Sequence, residues 1–148
     1  MKKILCLFLT VFCMFSTVTI YGCSKSPKEY EFDCVVDCAI TLKSMMKDPE
    51  SFEIYGVCGY KNPLSEKVYG DGESVIIPYR ATNSYGGYVT DVAFFYNGNY
   101  LGSRSDYSDG DYKDLSTTNQ IIFLKIYMLY LQGDYNKTYT KEQVNKKI

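Results

Sequence analysis

The sequence predicts an α+β domain: an N-terminal amphipathic helix packed on an antiparallel sheet of three to five strands, with a C-terminal helix. Three observations predict it. Apolar residues return at helical spacing through residues 29–47. Short alternating runs separated by glycine and asparagine turns follow over 73–102. An apolar run at 121–131 stands behind a Thr117/Gln120 pair that resembles a capping box.

The first helix sets Phe32, Val35, Val36, Ala39, Leu42, Met45 and Met46 on one face and Asp33, Asp37, Thr41, Ser44 and Lys47 on the other. Asp48 before Pro49 stops it, because the residue before proline is driven out of the α region. Phe52 and Ile54 alternate with Glu53 and Tyr55, which predicts a strand over 51–57. A loop around Pro63, a short strand at 66–69 and a turn at 70–72 follow. Residues 73–81 predict a strand with Val75, Ile77 and Tyr79 on one face. Pro78 places that strand at an edge or at a bulge, because proline cannot donate to a ladder. Residues 82–87 form a hairpin loop in which Gly86 and Gly87 can take positive φ. The strand at 88–96 carries Val92 and Phe94 on one face and Ala93 and Phe95 on the other, so it is expected to be central and covered on both sides. Asn97-Gly98 is a two-residue hairpin turn into 99–102. Residues 103–116 are polar and acidic, and read as a surface loop. The run at 121–131 is too short to span a bilayer and reads as a buried helix, with a strand as the alternative. Gly133 ends it, and a last helical turn is expected after Thr140.

Before this domain, Lys2 and Lys3 precede an almost wholly apolar stretch to Ile20, the pattern of a secretory signal peptide. Thr19-Ile20-Tyr21-Gly22-Cys23 resembles the lipobox of bacterial lipoproteins. That resemblance implies cleavage after Gly22 and diacylglycerol, with palmitate-type chains, on the Cys23 thiol. Tyr21 departs from the pattern, which favours a smaller residue two before the cysteine. The expected organisation is a signal peptide at 1–22, a lipidated cysteine and short tether at 23–28, one α+β domain at 29–132 and a polar C-terminal tail at 133–148. The expected location is the extracytoplasmic face of the cell membrane, held by lipid; several acyl chains anchor firmly where one is marginal.

Two further motifs carry a resemblance. Lys47-Asp48-Pro49-Glu50-Ser51 resembles the helix-to-strand joint of small uncharacterised bacterial lipoproteins and extracytoplasmic proteins. Asn83 to Tyr88 is similar to the asparagine-aromatic-glycine hairpin that follows in them. The resemblance implies an α+β fold and supplies no active site. Both motifs also have local reasons: Asp48-Pro49 ends a helix, and Asn83 can close a turn.

Composition removes several chemistries. The chain has no histidine and no tryptophan, so Ser-His and Cys-His catalysis and the usual zinc sites have no donor. No catalytic residue, metal site or cofactor is expected, and the chain reads as non-enzymatic. Its formal net charge is −1, with no basic stripe, so nucleic acid is not an expected partner. Tyrosine is abundant, with 16 residues, and offers apolar area with a polar tip. Asn83, Tyr85, Tyr88, Tyr107 and Tyr112 are the candidate ligand surface, for an unknown protein or cell-envelope ligand. Asp106, Asp109, Asp111 and Asp114 have oxygen donors, but aligning Gly110 on the invariant EF-hand glycine puts Ser105 and Tyr107 at ligand positions, so the loop reads as solvated.

Cys34, Cys38 and Cys58 remain once Cys23 is lipidated, and an oxidising compartment permits one disulfide. An unbroken strand from Asp48 would carry Cys58 about 23 Å up, against about 20 Å for Cys34 and about 14 Å for Cys38 along the helix. Level therefore favours Cys34–Cys58. Helix phase favours Cys38–Cys58, and no bridge is the third outcome. The function these readings lead to is a small binding or interaction module. The alternative is an inhibitor or immunity-type lipoprotein that blocks an envelope enzyme, toxin or phage component through a protruding loop at 103–114.

Overall fold

Helix α1 covers Pro27–Met45 in the computed structural model, which describes residues 26–62, 72–83 and 85–148. The signal peptide, Cys23, residues 24 and 25 of the tether and the strand expected at 66–69 lie outside the described residues, and the rest of the expected tether, 26–28, caps and begins α1. A capping box closes the first turn of α1: the Ser26 N–H donates to Glu29 Oε2 (2.8 Å) and the Glu29 N–H to Ser26 Oγ (3.3 Å). Residues Glu31–Ile148 form one unit, and the described part of the preceding unit is this first turn.

Val35, Cys38, Ala39 and Leu42 are the buried stripe of α1, spaced i, i+3, i+4, i+7. Met45, expected on that face, is the last residue of the helix and is half exposed. A 3-10 turn, Pro49–Ser51, leads to β1, Glu53–Ile54, and then β2, Cys58–Lys61. Of the strand expected over 51–57 only Glu53–Ile54 forms, and β2 is a second short strand beyond it that the sequence reading did not place. Strands β3, Ser74–Thr82, β4, Tyr88–Tyr96, and β5, Asn99–Ser103, follow as antiparallel hairpins. The hairpin turn is as expected: Asn97 (φ 48°) and Gly98 (φ 74°) both take positive φ, the geometry of a type I′ turn.

The sheet order is β5-β4-β3-β2-β6, with β1 also paired to β3. Strand β3 is therefore internal, not an edge. Its Pro78 is accommodated because the partner strand breaks opposite it. Ile54 pairs with Tyr79 and Gly59 with Ile76, so residues 55–58 face only two residues of β3. A Cβ on Gly56 in that break would lie 3.0 Å from Pro78 Cβ.

Helix α2, Arg104–Asp109, and a second 3-10 turn, Asp111–Asp114, replace the loop expected at 103–116. Ser103 caps α2 through the Asp106 N–H, and the Asp106 carboxylate accepts the Ser103 N–H. The polar, acidic composition that suggested a loop is that of a capped surface helix. Helix α3, Thr117–Gln132, is capped by Ser116 and not by Thr117. Gln120 instead donates to the carbonyls of Lys113 and Leu115, both at 2.8 Å. Gly133 (φ 65°) ends α3 as expected. Among the described residues no helix is long and apolar enough to cross a membrane.

The segment expected as a polar tail is part of the fold. Strand β6, Lys137–Tyr139, pairs with β2, and α4, Lys141–Asn145, follows behind the expected Thr140/Gln143 capping box. Val144 of α4 is fully buried. Strand β6 brings the sheet to six strands, one beyond the expected range. Both sheet faces are covered. Val75, Ile77, Ala93 and Phe95 pack with α1, β1, β2 and α4, while Ile76, Val92 and Phe94 pack with Ile122, Phe123 and Ile126 of α3. The apolar alternation of β4 is the direct cause of this three-layer arrangement.

Candidate functional site

The β3–β4 hairpin brings Asn83, Tyr85 and Tyr88 together. Asn83 organises its turn: Oδ1 accepts the N–H of Tyr85 (2.9 Å) and of Gly87 (3.0 Å). Its backbone N–H donates to the Gly87 carbonyl (2.8 Å), and its carbonyl accepts the Gly86 N–H (3.1 Å). Gly86 supplies the positive φ, 79°. Tyr85 at the tip is 96% exposed, Tyr88 is 68% exposed and Val89 48% exposed. The Tyr88 ring lies 5.3 Å from the Arg80 guanidinium, and Arg80 Nε is 2.7 Å from Glu53 Oε1. At the base of the hairpin, Ser51 Oγ accepts the Thr82 N–H at 2.8 Å. These contacts leave the tip short, stiff and uncovered.

Tyr107 and Tyr112, the other expected ligand residues, belong elsewhere. Tyr107 stacks on Tyr127 (centroids 4.3 Å, 21°) and Tyr112 on Phe123 (5.7 Å, 9°). Tyr107 and Tyr112 are themselves 5.3 Å apart and near-parallel. The four rings form a two-layer slab that holds α2 and its 3-10 turn on α3. Stacked rings at these spacings are a packing device, and Tyr107, 37% exposed, is far less open than Tyr85 and Tyr88. The sequence could not separate the two groups, because both are tyrosines in polar, glycine-containing segments.

All three described cysteines are free thiols, so neither expected bridge is formed. The ranking assumed an unbroken strand up to Cys58. The break at 55–57 sets Cys58 back, next to the Gly59–Ile76 pair. Cys34 Sγ instead donates to Glu73 Oε1 (3.3 Å), and Tyr60 donates to Glu73 Oε2 (3.1 Å). The neighbouring Cys38 thiol, burial and Glu73 together push the Cys34 thiol well above its ordinary range. A thiol held protonated in this way is a poor nucleophile.

Burial alone pushes the Cys58 thiol up to about 12 from an ordinary 9.0. Its folded pKa is raised, so the stability it contributes is complete below about pH 9 and is lost as pH rises from there to about 12, at a slope near 1.4 kcal/mol per pH unit. We expect urea midpoints to hold level to pH 8.5 and to fall above pH 9. Native Cys38 and Cys58 should resist thiol reagents that modify them at once in denaturant. Rapid native labelling of Cys58 would contradict the burial argument.

One polar node carries no signal in the periodicity. Asp91, in the middle of apolar β4, is buried. It accepts the Val92 N–H (2.8 Å), the Ser105 N–H (3.3 Å) and the Ser105 hydroxyl, and Arg104 Nε lies 3.6 Å away. These contacts tie α2 to β4. A lone aspartate inside an apolar strand was the available clue. Among the described residues no three His, Cys, Asp or Glu side chains form a metal-holding group. No family model, curated protein or solved structure matches the chain.

Proposed function

We propose that the chain is a lipid-anchored extracytoplasmic protein that works as a small non-enzymatic binding module, with the β3–β4 hairpin tip as its contact surface. The observation that carries this reading is the exposure of Tyr85, Tyr88 and Val89 on a turn held by four hydrogen bonds. Exposed aromatic side chains on a rigid support are the residues that contribute most at interfaces. Both faces of the sheet are covered by helices, so a flat tyrosine-covered face is not the surface in use. Residues 103–114, the loop on which an inhibitor reading relied, are folded as α2 and a 3-10 turn packed on α3.

The lipobox-like stretch ending at Cys23 supports the anchor. The arrangement of Glu31–Ile148 suits it. The Glu31–Lys137 ion pair and the Cys34–Glu73 contact set the part of α1 that begins this unit beside the start of β3, and the Ser51–Thr82 contact sets the segment after α1 beside the end of β3. The hairpin tip therefore projects from the end of this unit opposite the one where the chain enters it. A tether at Glu31 leaves the tip free to meet a partner.

Two variants test the reading. Cys23→Ser should move the signal-cleaved protein from the membrane to the soluble fraction, and full membrane retention of that variant with its signal cleaved would overturn the anchor. The released protein should bind isolated cell envelopes, and a Tyr85→Ala/Tyr88→Ala variant should bind at least about tenfold more weakly. Equal binding by the double variant would remove the hairpin from the site.

A further inference from the structure

We infer that the hairpin tip is a plug that enters a neutral, apolar-walled cleft on a partner protein. This rests on the binding-module reading and names its partner class. Three features of the tip carry it.

The first is shape. Tyr85 is almost fully exposed and a Cβ on Gly86 would meet nothing within 4 Å. The element is convex, so its complement is concave. A sugar chain needs a platform or a groove on the protein that binds it; a lone projecting ring offers neither, whereas a protein cleft accepts it.

The second is charge. From Ala81 to Thr90 no residue carries a charge, and the ions at the base of the hairpin are already paired, Arg80 with Glu53 and Arg104 with Asp91. An uncharged aromatic centre with a charged rim is the layout of a protein–protein interface, where charges are depleted at the core and Tyr and Arg are enriched. Phosphorylated or strongly acidic ligands find no cation at the tip.

The third is size and stiffness. Aromatic side chains bury roughly 150–250 Å² each. Tyr85, Tyr88 and Val89 together therefore supply on the order of half of the roughly 800 Å² per partner of a standard interface. Asn83 holds the turn before binding, so little ordering entropy is lost on association.

The test places a benzophenone amino acid at 85, 88 or, as control, 128, since Met128 is a half-exposed apolar side chain on α3. The full chain is irradiated in intact cells that normally express it. The expected result is one protein adduct of discrete mass from 85 and 88 and none from 128. The adducted protein, purified, should bind the intact chain, with affinity at least about tenfold lower for Tyr85→Ala and for Asn83→Ala, which keeps the ring but loses the turn. Tyr85→Phe should lose less. Membrane retention through Cys23 without an adduct at 85 or 88, equal adducts from 128, or Tyr85-dependent co-sedimentation with isolated cell-wall polysaccharide alone would each overturn the protein cleft and leave the anchored module standing. Membrane retention of the Cys23→Ser variant with its signal cleaved would overturn the anchored module itself, whatever the adducts.

Discussion

Phe94→Ala should lower the stability of the domain by about 3–5 kcal/mol, read as a shift in urea midpoint without loss of cooperativity. Phe94 is fully buried and meets the edges of Phe123 (5.4 Å, 86°), Tyr127 (5.7 Å, 81°) and Tyr130 (5.9 Å, 65°). It is the one β4 side chain on which three α3 rings converge. Truncation removes a large buried surface and leaves a void that the rigid β3–β4–β5 ladder cannot close. Tyr107→Ala, on the outer layer of the slab and partly exposed, should cost clearly less. A midpoint for Phe94→Ala within about 1 kcal/mol of the parent would mean that α3 does not pack on β4 as described.

Asn145→Ala should destabilise by roughly 2 kcal/mol or more, far beyond the usual cost of an exposed helical residue. Strand β1 pairs with β3 on one side only. On its other side the Asn145 side chain acts as a short stretch of strand: Oδ1 accepts the Ile54 N–H (2.9 Å) and Nδ2 donates to the Ile54 carbonyl (2.8 Å). Ile54 is fully buried, so removing the amide strands a donor and an acceptor together. The same variant separates two views of the C-terminal segment. A polar tail predicts no change in stability, while a segment that closes the sheet edge predicts the loss. Hydrogen exchange at the Ile54 amide gives a local readout, with faster exchange expected in the variant.

The thiols show why a sequence argument of the right kind still failed. Rise per residue places cysteines well on an ideal helix and an ideal strand. The strand is not ideal, because Pro78 on the neighbouring strand has no N–H to offer and the partner breaks opposite it. The proline was visible in the sequence. Its consequence fell on a different strand, about twenty residues away, and only the pairing register reveals it.

Local patterning by itself determined the α+β class, α1, the β4 alternation that demands cover on both faces, the Asn97-Gly98 turn, the glycine stop of α3 and the Thr140 cap. These depend on side-chain period and on backbone preferences within a few residues. Tertiary structure alone decided the rest. It made a strand and a helix of the supposed tail, because β2 needed a neighbour and Val144 a core. It folded residues 103–114 against α3, because two tyrosines could stack on Tyr127 and Phe123. Of two similar tyrosine groups, it stacked one against α3 and left Tyr85 and Tyr88 on a stiff tip, because exposure is set by what the rest of the chain happens to cover.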